Sequence, residues 1–80
     1  MSIQKLTSVF RNVFEDENLT LTPEMSARDV ANWDSFNHIN LVIEIEGTFA
    51  VTFTTDEIST MRDIGDLVSI LNAKGCDIKW

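Results

Sequence analysis

The sequence predicts an all-α bundle of four helices, three longer and one short. Two observations carry that expectation. Apolar residues recur at helical spacing in three separate stretches. Turn and cap residues gather between those stretches. At 80 residues the chain makes one domain at most, taken here as residues 1–80 with a core over about 3–74 and a tail over 75–80.

The first helix is expected from about Ile3 to Glu15. Ile3, Leu6, Val9, Phe10, Val13 and Phe14 form its stripe, and Lys5, Arg11 and Asn12 lie off it. From Asp16 to Asn32 the periodicity breaks. Thr20, Thr22, Pro23, Ser26 and Asp29 are turn or cap residues, and Pro23 stops any helix crossing that point. Leu19, Leu21, Met25 and Val30 are isolated apolar anchors, enough to pin a long loop over a core. A loop that long in a small domain is unusual and often functional. Read as a calcium loop starting at Asp16, it has Leu21 where glycine is needed and Ala27 where glutamate is needed, so that reading fails.

The second helix is expected from Ser35 or Phe36 to about Gly47 or Thr48. Placed at ~100° intervals, Phe36, Ile39, Leu41, Val42, Ile43, Ile45 and Phe49 make a wide apolar arc. Asn37, Asn40, Glu44 and Gly47 make a narrow polar face. Such a helix is expected to be wrapped by neighbours on most sides. The β-branched run at 42–45 also reads as a strand; the Asn37/Asn40/Glu44 spacing and the length favour helix. Thr54 or Thr55 can cap a short third helix through about Thr60, with Asp56 and Glu57 in its first turn. Asp63 can cap a fourth to about Ala73, striped by Ile64, Leu67, Val68 and Leu71 and stopped by Gly75. Gly65 weakens that helix by ~1 kcal/mol relative to alanine. The tail from Cys76 to Trp80 is expected to fray, although Ile78 and Trp80 could dock.

Composition narrows the function classes. With 44% hydrophobic residues the chain is globular rather than disordered. A net charge of −7 argues against binding nucleic acid and against docking on an anionic membrane, and favours partners with basic patches. Cys76 is the single cysteine, so no intramolecular disulfide forms, and with one histidine no standard zinc site; no metal is expected. The chain opens at Met1-Ser2-Ile3-Gln4-Lys5 directly into an amphipathic pattern, with no signal peptide or transmembrane run, which favours a cytoplasmic protein, expected as a monomer. The sequon Asn18-Leu19-Thr20 carries no meaning without secretion.

The chemistry-bearing stretch is Trp33-Asp34-Ser35-Phe36, where the loop meets the most apolar helix. Ser35 reads either as a helix N-cap or as a displayed hydroxyl, and the two can coincide. His38 lies three residues on, so a Ser-His pair can be imagined. There is no defined third group and no oxyanion-hole loop, and His38 reads better as a partly buried histidine near the helix start. Trp33 reads as an anchor packing the loop onto the bundle, and Glu15-Asp16-Glu17 as a solvated helix end. No catalytic constellation is present, and the chain is not expected to be an enzyme.

That stretch resembles the attachment motif of acyl carrier proteins. The resemblance runs from Trp33-Asp34-Ser35-Phe36 through Asn37-His38-Ile39-Asn40-Leu41-Val42-Ile43-Glu44-Ile45-Glu46, and on through Phe49 and Thr55-Asp56-Glu57-Ile58 to the helix from Asp63 to Leu71. The family's motif is Asp-Ser-Leu followed by an apolar helix ending Glu-x-x-Phe, which Glu46-Gly47-Thr48-Phe49 fits. The resemblance implies a four-helix bundle of the acyl-carrier type. It implies that Ser35 carries covalent 4′-phosphopantetheine, donated from coenzyme A by a phosphopantetheinyl transferase. The arm holds acyl groups as thioesters for acyl-transferring or ligating enzymes, in fatty-acid-like, polyketide-like or other specialised biosynthesis. Asp34 would position the serine, and partners would dock along Phe36, Asn37, Asn40, Ile43 and Glu44. A peptidyl or aminoacyl carrier, and an acidic helical adaptor with no prosthetic group, are the alternatives.

Departures from the family pattern point to a specialised, stand-alone member. Phe36 replaces the usual leucine. Asn37 and Asn40 stand where typical fatty-acid carriers are acidic, and Gly47 replaces another acid. Phe53 and Ile58 stand where the family often has isoleucine and alanine, which implies poor sequestration of long acyl chains.

Overall fold

The computed structural model describes residues 3–80. The Met1-Ser2 opening of the sequence reading lies outside them. Four helices follow one another: α1 (Ile3–Phe14), α2 (Ser35–Phe49), α3 (Thr55–Thr60) and α4 (Ile64–Ala73). The core is built from one stripe per long helix. Leu6 and Phe10 of α1, Leu41 and Ile45 of α2, and Ile64, Leu67 and Leu71 of α4 are fully buried. Helix α3 contributes no buried residue and sits between two that flank it, Phe53 and Met61.

The three long helices end alike. Glu15, Ala50 and Gly75 each take a positive φ, of 52°, 56° and 93°. The amide just beyond each reaches back to close the last turn: Asp16 to the Arg11 carbonyl, Val51 to that of Glu46, and Cys76 to that of Leu71. This corrects the expected end of α2 at Gly47 or Thr48. Gly47 lies within the helix, and the stop is the left-handed Ala50, a conformation that sequence alone does not advertise in alanine.

The wrapping expected of α2 is also corrected. Leu41, Val42, Ile45 and Phe49 are buried, but Phe36 is 75% exposed, Ile43 57% and Ile39 49%. At 100° per residue these are two groups on opposite sides of the helix, not one arc. A domain this small has too few elements to cover both.

Residues 15–34 link α1 to α2 as a series of hydrogen-bonded turns: Asp16–Leu19, Thr22–Met25, Ser26–Asp29 and Val30–Trp33. Leu19 and Val30 are buried, and Leu21, Met25 and Trp33 are partly so. The Arg11 guanidinium donates to the Leu19 carbonyl at 2.7 Å. The loop also closes the start of α4. A helix's first amides have no partner within it. Here Ile64 donates to the Met25 carbonyl and Gly65 to that of Pro23, both at 2.9 Å, while the Asp63 carboxylate caps Asp66 at 2.8 Å. Gly65 is therefore more than a weak helix former. A Cβ there would stand 3.0 Å from the Pro23 carbonyl oxygen and 3.3 Å from the Asp63 carboxylate.

The expected fraying of the tail is overturned in part. Cys76 and Ile78 are buried. The Asn72 side chain holds Ile78 from both sides, donating to its carbonyl at 3.1 Å and accepting from its amide. Ile3 donates to the Lys79 carbonyl at 2.9 Å, so the tail pairs with the start of α1. Trp80 does not dock and stays half-exposed.

Helix α3 is too short to hold itself together, and its cohesion comes from its ends. Thr54 and Glu57 form a reciprocal capping box, with bonds of 3.1 and 2.8 Å. Lys74 of the α4 end reaches Glu57 at 2.9 Å and lies 5.6 Å from the centre of the Phe53 ring. The Thr54 amide, followed by the Lys74 ammonium, holds the Glu57 carboxyl below its ordinary pKa.

Two predictions follow from these contacts. Gly65→Ala should destabilise the fold by about 1–3 kcal/mol through overpacking, reversing the usual ~1 kcal/mol helix gain of alanine; urea unfolding measures the sign. Because the folded Glu57 pKa lies below its unfolded value, its charge stabilises above the ordinary carboxyl range and the contribution disappears as pH falls through the folded value. A Glu57→Gln variant keeps the box but not the charge. Its stability deficit in thermal melts should be present above about pH 5 and vanish in more acidic buffer, and should shrink in high salt.

Candidate functional site

Helix α2 begins where Trp33 lets it. The indole lies in the aromatic residues of α1, 5.6 Å from Phe10 at an edge-on 78° and 5.7 Å from Phe14. Its Nε1–H donates to Nδ1 of His38 at 3.1 Å. A neutral ring accepting at Nδ1 carries its proton on Nε2. That nitrogen lies 3.4 Å from the carbonyl oxygen of Ile58 in the last turn of α3. Both ring nitrogens of His38 are thus engaged away from Ser35. The anchor role expected for Trp33 is what its contacts describe. The indole–imidazole bond had no sequence signal beyond the five-residue spacing.

The N-cap of α2 is Asp34, not Ser35. Asp34 has extended backbone, and its Oδ1 accepts from the Asn37 amide at 2.9 Å. A carboxylate outcompetes the neighbouring hydroxyl because it places full negative charge on the positive end of the helix. Ser35 becomes the first helical residue. Its hydroxyl is exposed and makes no hydrogen bond among the described residues. With Asn37 held by Asp34 Oδ1 and His38 by the Asp34 carbonyl at 2.8 Å, the Ser35 and Phe36 amides remain the first-turn donors without a helical partner. The first turn of α2 holds no acidic side chain.

The residues read as a docking face fall into two kinds. Phe36 and Ile43 stand exposed on the outer side of α2 with Ile39, and Glu44 is exposed beside them. Ile39 belongs to the wide apolar arc of the sequence reading but not to its expected docking residues. The signal that would have found it is its spacing of three and four from Phe36 and Ile43. Asn37 and Asn40 are half-buried and tied down. The Asn37 carboxamide donates to the Asn32 carbonyl at 2.7 Å, and Asn40 donates to Asn37 Oδ1 at 3.2 Å. Asn32 itself has a positive φ of 70° and its carbonyl also accepts from Asp34. An aspartate at 37 could not donate that bond, so the amide has a structural reason of its own.

Two grooves flank this face. The larger, about 580 Å³, begins at Asp34 and Ser35 and runs between the loop, α2 and α3. Trp33, Ile39, Ile58 and Met61 give it an apolar lining, His38 an imidazole and Arg62 a cation. The smaller, about 300 Å³, lies between α1 and α2 and is lined by Asn12, Val13, Asn40, Ile43 and Glu44. Among the described residues no cluster of three potential metal ligands occurs, and no helix is long and apolar enough to cross a membrane.

No family model matches the chain. Its structure is similar to the solution NMR structure of the holo acyl carrier protein from Geobacter metallireducens, with a TM-score of 0.84 and 36% sequence identity over 90% of this chain and 83% of that one. A likeness of that identity and extent reaches beyond the arrangement of helices. The chain belongs to the acyl carrier protein family.

Proposed function

We propose that this protein carries acyl groups as thioesters on a 4′-phosphopantetheine arm attached to Ser35. The observation that carries the reading is the division of labour at the start of α2. Asp34 takes over the cap, which leaves the Ser35 hydroxyl exposed and without a hydrogen bond, at the mouth of the apolar groove. The likeness to a holo carrier supports it.

The residues present fit a phosphodiester at this position. The free amides of Ser35 and Phe36 face any anion on the Ser35 oxygen, at the positive end of the α2 dipole. Arg62 in the groove wall adds a positive charge in a chain of net charge −7. Asp34 pulls the other way, with one carboxylate oxygen engaged by the Asn37 amide. Loading forms a bond from Ser35 Oγ to the phosphorus next to the pantetheine of coenzyme A. The pyrophosphate link breaks, adenosine bisphosphate leaves, and the hydroxyl proton goes to solvent or to the transferase. The arm supplies a thiol that holds an acyl group by a thioester. Ser35 is a tether, and the acyl chemistry belongs to partner enzymes.

The partners of this reading are a phosphopantetheinyl transferase and acyl-transferring or ligating enzymes that dock on α2. Phe36, Ile39 and Ile43 offer an apolar stripe there, and Glu44 an acid at its edge. Asn37 and Asn40 shape the face through the Asn32 link. A stripe that is apolar more than acidic suits enzymes of a specialised pathway rather than general fatty-acid synthesis.

The test is a mass measurement. Purified protein incubated with coenzyme A, magnesium and a promiscuous transferase should gain one phosphopantetheine, and Ser35→Ala should gain none. No gain with several transferases overturns the reading and leaves an acidic adaptor. A separate expectation attaches to the cap: Asp34→Ala should cost about 0.5–2 kcal/mol of stability and slow the loading of Ser35, read by denaturant unfolding and by the time course of the mass gain.

A further inference from the structure

We propose that His38 is the latch that holds α3 against α2, and that it keeps acyl cargo in the open groove beside Ser35 and out of the core. The proposal rests on the reading of Ser35 as the attachment point. It names the class of cargo the site suits: short or polar acyl groups that tolerate a solvent-facing groove.

Helix α3 is the shortest and least buried of the four. It spans six residues and buries none of them. Its last carbonyls lack helical partners, and its C-cap Met61 is extended, so no left-handed closure serves it as in the long helices. The carbonyl of Ile58 is one of these orphans, and His38 Nε2 supplies its donor from the neighbouring helix.

The geometry orients that donor from the far side. The Trp33 indole N–H occupies Nδ1 and so fixes the proton on Nε2, pointed at Ile58. Trp33 is in turn held by Phe10 and Phe14. A continuous chain of contacts therefore runs from the core of α1, through two side chains, to the end of α3. The capping box and the Lys74–Glu57 pair secure the other end of that helix. The two ends are restrained by different groups, so the Ile58 end can be released alone.

The latch lies where cargo would meet it. His38 and Ile58 both line the groove that opens at Ser35. An acyl chain led into that groove has two routes. It can lie along Ile39, Ile58 and Met61 with one side to solvent, or it can part α2 from α3 and reach Leu41, Ile45 and Leu67. The second route breaks the bond to Ile58, the one hydrogen bond that ties α3 to α2 among the described residues. The charged and titratable groups of the surrounding wall are Asp34 and Arg62, and neither is bonded to His38. His38 is thus a positioning residue, acting on cargo through α3.

Acyl-coenzyme A donors and a promiscuous transferase give acetyl- and octanoyl-loaded protein directly, with loading verified by mass. Methyl resonances of Leu41, Ile45 and Leu67 report entry to the core, and the Trp33 indole N–H reports the latch. In the wild type, octanoyl should leave the core methyls at their acetyl positions. In His38→Ala the indole signal should shift even without cargo. Octanoyl, but not acetyl, should then move the core methyls and slow hydroxylamine cleavage of its thioester several-fold. His38→Gln, which keeps a donor for Ile58, should restore the wild-type pattern. Trp33→Phe keeps the ring and removes the indole donor; it should show a weaker form of the alanine effect and serves if His38→Ala does not fold. Equal core shifts in wild type and variants, or none in any of them, overturns the role of His38 alone. Failure of the wild type to load overturns the attachment reading and this proposal together.

Discussion

The position of Trp33 governs the rest of the site. Its indole is set into Phe10 and Phe14 of α1, and from there every following step is short and constrained. Asn32 takes a left-handed turn, Asp34 folds back to accept the Asn37 amide, and α2 can start at only one residue. Ser35 is exposed where the two residues before it are committed, Trp33 to the aromatic rings of α1 and Asp34 to the helix end. A loop that is otherwise a string of turns gains side-chain contacts to α1 and α2 just before the serine. Aromatic packing and one indole–imidazole bond achieve this without burying a charge.

Much of this architecture was legible in the sequence, and the limits have physical causes. The stripes of α1 and α4 were readable because each buries a single face. The Asp63 and Thr54 caps were readable because short polar side chains before an apolar run have few other uses. Helix α2 misled because it carries apolar residues on both sides, and periodicity does not say which side the bundle will cover. Its end misled because the left-handed position is an alanine, while Gly47 sits in open space within the helix. The tail misled because the clamp on Ile78 comes from Asn72, and side-chain to backbone bonds leave no periodic trace. At the site itself, Asp-Ser marked the start of α2 but not how the two residues share the helix end. The cap fell to Asp34, a carboxylate beside a hydroxyl, and His38 found partners on the loop and on α3 that no spacing announces.

The charge of the chain is distributed to match. Much of the acidity lies away from the α2 face, in the cluster at Glu15, Asp16 and Glu17 and around Asp56, Asp63 and Asp66. Of the acids, Asp63 works as a cap and Glu57 as half of a capping box. On α2 the amides of Asn37 and Asn40 form a chain to the loop carbonyl, where carboxylates would repel one another and donate nothing. The two amides therefore tie the helix to the loop, beside the exposed side chains of Phe36, Ile39 and Ile43.

The bond from Ile3 to the Lys79 carbonyl makes the protein topologically closer to a ring than to a string. Its two described ends lie side by side, with Ile78 seated in the core between them and α4. Joining them through a short flexible linker would cost little closure entropy. The chain could then be opened elsewhere, at exposed positions such as Glu17 and Asn18, where the local turn is held by single bonds. In such a rearranged chain α1 would follow α4 directly, while the run from Trp33 through α2 and α3 stayed continuous. The order of elements along the backbone is thus looser than the order in space, and the serine depends on the second.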